Sequence, residues 1–375
     1  HGRVIPAPTA IQYSPIRNWK HAPHRARMTC QDTAQPHSPR VAVALPAYNT
    51  AGTLPAAIRS LQEQTEQDWE LLVVDDGSTD GTWQVMAGAA RQDGRIKALR
   101  HAANRGIVAA LETALAAASA PLVARLDADD TCLPERLSRQ VGFLDAHPEI
   151  GLVGCCVAFG GDREAHAGYA KHVDWTNELL APADIRLNRF VESPFAHPSV
   201  MFRRELVAQF GGYRDGPFPE DYELWLRWLD AGVAMAKIPE TLVVWNDPPD
   251  RLSRTDPRYS FRAFYETKAE YLARWLARHN PRHPEIVVWG AGRETRKRAE
   301  FLVRHGIRIT HYIDIDPRKI GQTIHSRPVL AEEQLPGPDR AFVVSYVSSW
   351  GARDDIRQRL SARSYREGDH FIMGA

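Results

Sequence analysis

Arg125-Leu126-Asp127-Ala128-Asp129-Asp130 follows directly on the apolar run Leu122-Val123-Ala124, which sets an Asp-x-Asp carboxylate pair at the end of a predicted buried strand. Residues two apart on a strand share a face. Where the strand opens into a loop, both carboxylates can converge on one hard divalent cation able to bridge two phosphates. The plainer reading makes Asp127 and Asp129 caps of a following helix, with Pro134 in its first turn. Two further acidic segments stand at comparable places. Asp75-Asp76-Gly77-Ser78-Thr79-Asp80-Gly81-Thr82 ends a second apolar run, and Gly77 and Gly81 suit a turn that needs positive φ. Glu220-Asp221 follows Gly216-Pro217-Phe218-Pro219 and opens a helix with Leu224, Trp225 and Trp228 on one stripe, where carboxylates are favoured electrostatically whatever their function.

The elements that must position these acids alternate in type. Val41 to Leu45 reads as a strand ending in Pro46-Ala47-Tyr48-Asn49, and a helix follows over Thr53 to Gln64. Leu71 to Val74 is the next strand. Ile96 to Leu99 leads to Asn104-Arg105-Gly106, and an alanine-rich helix runs from Ile107 to Ala118 before the Asp127 strand. Strands alternating with helices predict parallel βαβ units with both sheet faces covered, and ligands of such sheets bind beyond the carboxyl ends of the strands. The acidic and polar turns all lie at that end, so they would face one crevice.

Pro46 to Asn49, the Asp75 to Thr82 loop, Arg125 to Asp130 and Glu220 to Arg227 resemble, in order and spacing, the motifs of family 2 glycosyltransferases. The resemblance spans about residues 41 to 255. It implies an α/β chain with the GT-A nucleotide-diphospho-sugar transferase fold, a mostly parallel sheet with helices on both faces. It also implies a nucleotide-diphosphate sugar donor, usually a uridine diphosphate sugar, a Mn or Mg ion, inversion at the anomeric carbon, and a saccharide or lipid-linked saccharide acceptor in polysaccharide biosynthesis. Carried onto this chain, it gives Pro46, Ala47, Tyr48 and Asn49 one wall of the nucleotide slot, and Asp75 or Asp76 the base. Asp127 turns to ribose or metal beside Ala128, and Asp129 ligates the metal. Asp130 is either a third ligand or, as the favoured reading, a helix cap. Asp221 is the general base, with Glu220 as its alternative. Arg105 and Arg125 offer forked donors to phosphate or ribose, and His197, Trp225 and the Arg251, Ser253 and Arg254 loop are candidate acceptor or phosphate contacts. Tyr48 as a core aromatic, Arg105 as a solvated side chain and His197 as a structural histidine stay open.

Composition fits an enzyme without selecting one. The 375 residues carry a formal net charge of +1, which gives no argument for nucleic acid as a partner. Cys30, Cys132, Cys155 and Cys156 lack zinc-site spacing, and Cys155 and Cys156 read as small core residues of the run Ile150 to Phe159, favouring a reducing compartment. No segment has the unbroken apolar length of a membrane span, so a cytoplasmic protein is expected, with peripheral contact at the inner membrane face as an alternative. Residues 1 to 40 are proline-rich and aperiodic, a disordered or non-native tail in which Met28 is the expected natural start.

A helical linker is expected over 256 to 281, followed by a Rossmann-like domain over 282 to 375. There Glu285 to Trp289, Gly290-Ala291-Gly292, a helix Glu294 to His305 and Ile307 to Ile315 give strand, glycine turn, helix and strand, with Asp314 and Asp316 beyond. Thr295 stands where a third glycine would fall. Nucleotide binding, plain packing and a homo-oligomer contact are the alternatives for this unit, and a scaffold with a degenerate transferase domain is the runner-up for the whole chain.

Overall fold

The computed structural model describes residues 38–249, 251–349 and 351–375, so residues 1–37 of the expected tail lie outside it. The first sheet holds β1 (Val41–Ala47), β2 (Trp69–Asp75), β3 (Ile96–Arg100), β4 (Leu122–Arg125), β5 (Thr131–Cys132), β6 (Ile150–Phe159), β7 (Met201–Arg203) and β8 (Ala234–Trp245), in the order β3-β2-β1-β4-β7-β6-β8-β5. The first four are mutually parallel, and β7 runs antiparallel to both β4 and β6. β1 and β2 are covered on both faces, which is why they read as continuous rather than alternating apolar runs. Leu54, Ile58, Met86 and Leu137 pack one face. Val108, Leu111, Trp225 and Trp228 pack the other. The strand order reverses at β1, so the turns after β1, β2 and β4 share one edge of the sheet.

The helices expected over Thr53–Gln64 and Ile107–Ala118 run Leu54–Gln62 and Ile107–Ala117. The acidic turn differs more. β4 stops at Arg125, so Asp127 and Asp129 meet through a turn, closed by Asp130 N–H donating to the Asp127 carbonyl at 3.2 Å, and not by sharing a strand face. No helix follows directly. The chain pairs with β8 as β5, and the next helix, Arg136–Ala146, begins behind Glu135. The capping role expected of Asp130 is therefore corrected, and Pro134 precedes the helix it was expected to open.

A second sheet holds β9 (Glu285–Trp289), β10 (Arg308–Ile313), β11 (Thr323–Ile324), β12 (Arg327–Leu330), β13 (Val343–Ser345) and β14 (Phe371–Met373) in the order β11-β12-β10-β9-β13-β14. Only β11 runs antiparallel to its neighbour. Gly290 takes φ +101°, and a Cβ there would meet Val347 at 2.7 Å, so the tight turn admits little else. Asp314, the acid beyond the glycines, is buried and accepts a hydrogen bond from Ala291 N–H at 2.8 Å, with Lys319 Nζ 3.1 Å away.

The helix Phe261–His279 joins the two sheets through a shared core. Its Tyr265, Leu272 and Leu276 cluster with Ile286, Val288 and Phe342 on one side and with Phe190, Tyr222 and Leu226 on the other. Buried Lys268 donates to the carbonyls of Val191 at 2.8 Å and Gly374 at 3.1 Å, spanning the same divide. A chain cut after His279 would strip that cover, at about 1.5–3 kcal/mol for each large apolar side chain returned to water. The expected outcome is loss of soluble protein, read as soluble yield and melting temperature; a stable soluble fragment would show that residues 41–279 fold without the second sheet.

Candidate active site

The turns after β1 and β2 are latched to each other. Asn49, at φ +52°, donates its N–H to Ser78 Oγ at 2.9 Å, while its side-chain oxygen accepts Thr79 N–H at 2.9 Å. Thr50 N–H donates to Thr82 Oγ1 at 2.8 Å, and Ala51 N–H to Asp80 at 3.1 Å. Gly77 at φ +74° lets this loop close on the next one, since a Cβ there would lie 2.4 Å from the Ala103 carbonyl carbon. Pro46 is half-buried and Ala47 buried, and Tyr48 is 45% exposed, so it is no core aromatic.

Asp75 and Asp76 are both buried but hold different partners. Asp76 accepts from Arg105 N–H at 3.0 Å and Gly106 N–H at 2.7 Å at the start of the Ile107–Ala117 helix, and lies 2.6 Å from His101 Nδ1. Asp75 accepts Ser78 N–H at 2.8 Å through one oxygen. Its other oxygen sits 3.0 Å from Arg100 Nε without a well-directed hydrogen bond. The Arg105 side chain is exposed.

Arg125 is the buried centre of the site, 1% exposed, with Nη1 2.6 Å from an Asp127 oxygen. Burial opposes its charge, but Asp127, Tyr213 and Asp130 hold its proton more tightly than usual. Arg136 fixes the backbone here by donating to the Arg125 carbonyl at 2.7 Å and to the Val200 carbonyl at 3.3 Å. Asp127, Asp129 and Asp130 each offer an oxygen within 4.8 Å of the others. Burial and then Asp127 push Asp129 up to about 6, and burial with both neighbours pushes Asp130 well above the carboxylate range. Asn246 N–H donates to Asp130 Oδ1 at 2.7 Å, and its amide donates to the Asp129 carbonyl at 2.7 Å. Asp130 Oδ2 is buried with no hydrogen-bond partner. Hard oxygen donors with one buried, unpartnered oxygen fit a divalent Mn or Mg ion.

Glu220 and Asp221 open the helix Glu220–Asp230. Glu220 is 1% exposed and accepts from the Tyr259 hydroxyl on both oxygens, at 2.8 and 2.7 Å. Asp221 is half-buried, and burial, then Glu220, push its carboxyl up to about 7. Beyond β8, Asp247 gathers the basic loop: Arg254 donates to it at 2.7 Å, Arg251 Nη1 lies 3.6 Å away, and His166 Nδ1 lies at 2.8 Å. The Arg251 guanidinium lies 4.1 Å over the Trp245 ring and contributes to the field at Asp129 and Asp130. Ser253 is half-buried, with its hydroxyl 3.5 Å from Tyr169.

Two expected contacts lie behind this surface. Trp225 is fully buried between Phe195 and Trp228, so its expected contact with acceptor or phosphate is corrected: the helix turns that side chain into the core. His197 is buried, 2.7 Å from the Tyr213 hydroxyl, and burial with nearby Arg125 lowers its proton affinity, which makes it a neutral structural histidine. The reading of the sequence missed Asn246, Asp247, Arg136 and Tyr259. Asn246 and Asp247 stood in the loop already singled out. Tyr259 carried no local signal, because its partner Glu220 lies 39 residues earlier.

The sequence profile of glycosyl transferase family 2 matches residues 42–211, ending before Glu220 and Asp221. The putative glycosyltransferase EpsE of Bacillus subtilis (strain 168) is 30% identical over 226 residues, 59% of this chain and 78% of that protein. The UDP-Glc:alpha-D-GlcNAc-diphosphoundecaprenol beta-1,3-glucosyltransferase WfgD of Escherichia coli is 38% identical over 195 residues, 50% of this chain and 69% of that protein. Among solved structures, TarS 1-349 of S. aureus in complex with UDP-GlcNAc shares the fold at a TM-score of 0.51 and 18% identity, covering 71% of each chain.

The raised carboxyls make a prediction of sign. A group whose folded-state affinity for protons is raised contributes stability that is full below its unfolded value and is lost as pH climbs through its folded value, here between about pH 4 and pH 7. In chelator, Asp130→Asn should therefore melt higher than the parent at pH 8, by a few degrees, as expected for relieving about 1–3 kcal/mol of unpaired buried charge. At pH 5 the two should converge. Thermal melts across that range check it, and a lower melting temperature for Asp130→Asn at pH 8 would remove the assigned charge strain.

Proposed function

This chain belongs to glycosyl transferase family 2 and is a glycosyltransferase with the GT-A fold, and we propose that it moves a sugar from a uridine diphosphate donor to a hydroxyl of a saccharide or lipid-linked saccharide, with inversion and with Mn or Mg. The observation that carries the reading is that a carboxylate cluster suited to an ion and a carboxylate suited to a base share the field of one buried arginine. WfgD and TarS support the donor class, since their names carry UDP-Glc and UDP-GlcNAc, and the name of WfgD supports a lipid-linked acceptor.

In this reading the base lies along Tyr48 and Asn49, and Asp75 accepts its ring N–H, because Asp76 is already saturated by His101, Arg105 and Gly106. Asp127, Asp129 and Asp130 would hold the ion, which when bound screens the diphosphate and stabilises it as it leaves, on the order of several kcal/mol. Arg251 and Arg254 supply positive charge to the same phosphates, and Arg105 reaches them from the other side of the turn. Asp221 takes the proton of the acceptor hydroxyl. That oxygen bonds to the anomeric carbon while the bond to the diphosphate oxygen breaks, its electron pair leaving with the diphosphate. A carboxyl near 7 suits this work, since a base is most effective when its proton affinity lies near the working pH.

We assign residues 41–255 as the catalytic domain, 256–281 as the helical connection and 282–375 as a Rossmann-like unit that packs rather than binds a dinucleotide, since Asp314 is already engaged by its own glycine turn. Among the described residues no helix is long and apolar enough to cross a membrane. A cytoplasmic protein that works at the inner membrane face accords with a lipid-linked acceptor.

Asp221→Asn keeps shape and hydrogen bonding but deletes the proton acceptor. Affinity for UDP with Mn, by calorimetry, should hold while transfer from UDP-glucose or UDP-N-acetylglucosamine falls a hundredfold or more. Lost affinity with unchanged turnover would move Asp221 out of the catalytic role. In the parent, kcat/KM for the acceptor should fall as pH drops through about 7, because only the deprotonated carboxylate works. Asp129→Asn should lose turnover steeply and regain only part of it in excess Mn; full activity in chelator would end the metal assignment.

A further inference from the structure

We propose that Tyr259 is a positioning residue: its hydroxyl, bound to both oxygens of Glu220, keeps that carboxylate ionised beside Asp221 and thereby makes Asp221 the stronger base. The inference rests on the reading of Asp221 as the general base. Glu220 is 1% exposed, and the Tyr259 hydroxyl, at 2.8 and 2.7 Å, is the side chain that satisfies it. Two adjacent buried carboxylates do not both ionise freely, so whichever is better solvated by hydrogen bonds becomes the anion and the other holds the proton longer. A hydroxyl on both oxygens of Glu220 decides that contest.

The surrounding charges agree. Facing Glu220 are Tyr259, Arg258, Arg125 and Tyr213; facing Asp221 are Glu220, the Tyr222 N–H, Arg125, Asp127, Tyr213 and Tyr259. Arg258 is drawn off by Asp256 at 3.1 Å, with Asp215 at 3.8 Å, and Arg125 by Asp127 at 2.6 Å, which leaves Tyr259 as the direct hydrogen-bond donor to Glu220. The location of Tyr259 matters equally. It ends the short turn Pro257–Tyr259, capped by Asp256, just beyond the Leu252–Thr255 helix that follows Arg251. The phosphate-side arginines and the group that tunes the base thus sit on one stretch of eight or nine residues, so a displacement of that stretch on donor binding is felt at Asp221.

Tyr259→Phe removes the hydroxyl and little else. Glu220 then carries the proton, and Asp221, beside a neutral neighbour, releases its own at lower pH. The direct reading is a carbon-13 NMR titration of aspartate-labelled, metal-free protein, with the Asp221 carboxyl resonance assigned by its absence in Asp221→Asn. The midpoint should fall by roughly one to two pH units in Tyr259→Phe. Glu220→Gln should reproduce the shift, and the double variant should add nothing further, which keeps the test open if either single variant folds poorly. An unchanged or raised midpoint in folded Tyr259→Phe, or additive shifts in the double variant, overturns the inference. UDP-glucose turnover with Mn separates the two layers. An inactive Asp221→Asn with an unmoved midpoint in Tyr259→Phe refutes only the role of Tyr259, whereas a fully active Asp221→Asn refutes the base and with it any catalytic purpose for the coupling.

Discussion

Five carboxylates, Asp127, Asp129, Asp130, Glu220 and Asp221, share the field of the Arg125 guanidinium, Asp130 and Glu220 buried and the other three half-buried. Without that cation the cluster would hold uncompensated buried charge, and breaking a buried pair by removing one partner commonly costs about 3–5 kcal/mol. The rest of the catalytic sheet can be understood as what keeps Arg125 there. β1 and β7 flank its strand, and Arg136 grips its carbonyl from below. Because only Asp127 pairs with it closely, the remaining acids keep a surplus of negative charge.

The second sheet bears on this site through packing. Tyr222 directly follows the acidic pair and Leu226 lies about one turn further along the same helix, and both enter the core that Leu272, Leu276 and Val288 complete. The helix that carries Asp221 is therefore seated on a core that the second sheet completes, and the position of that carboxylate depends on residues far along the chain.

Much of the first sheet was legible because its strands are buried on both faces and its turns are acidic, two signals that survive without neighbours. β1, β6 and the Ile107–Ala117 helix fall within two residues of where periodicity places them. The acidic turn was legible in composition but not in geometry: Asp127 and Asp129 converge through a turn, and Asp130 became a member of the cluster because Asn246, 116 residues later, donates to it. Trp225 shows the opposite failure. A helical stripe tells which residues share a face but not which face meets solvent, and here the tryptophan turned inward. The partners of buried charge, Arg136 for Arg125 and Tyr259 for Glu220, were illegible for the same reason, since long-range pairing leaves no local trace.

The latch between Asn49, Ser78 and Thr79, with Gly77 closed against Ala103, has an evolutionary consequence. Each tie runs from a backbone N–H of one turn to a side-chain oxygen of the other, so substitution of Asn49, Ser78 or Thr82 breaks a bond and substitution of Gly77 forces a clash. Beyond β8, by contrast, the contacts of Asp247 with Arg251, Arg254 and His166 are side chain to side chain and replaceable. Variation can therefore accumulate beyond β8 while the turns after β1 and β2 stay fixed. A single scaffold of this kind can diversify its products by drifting along one edge only.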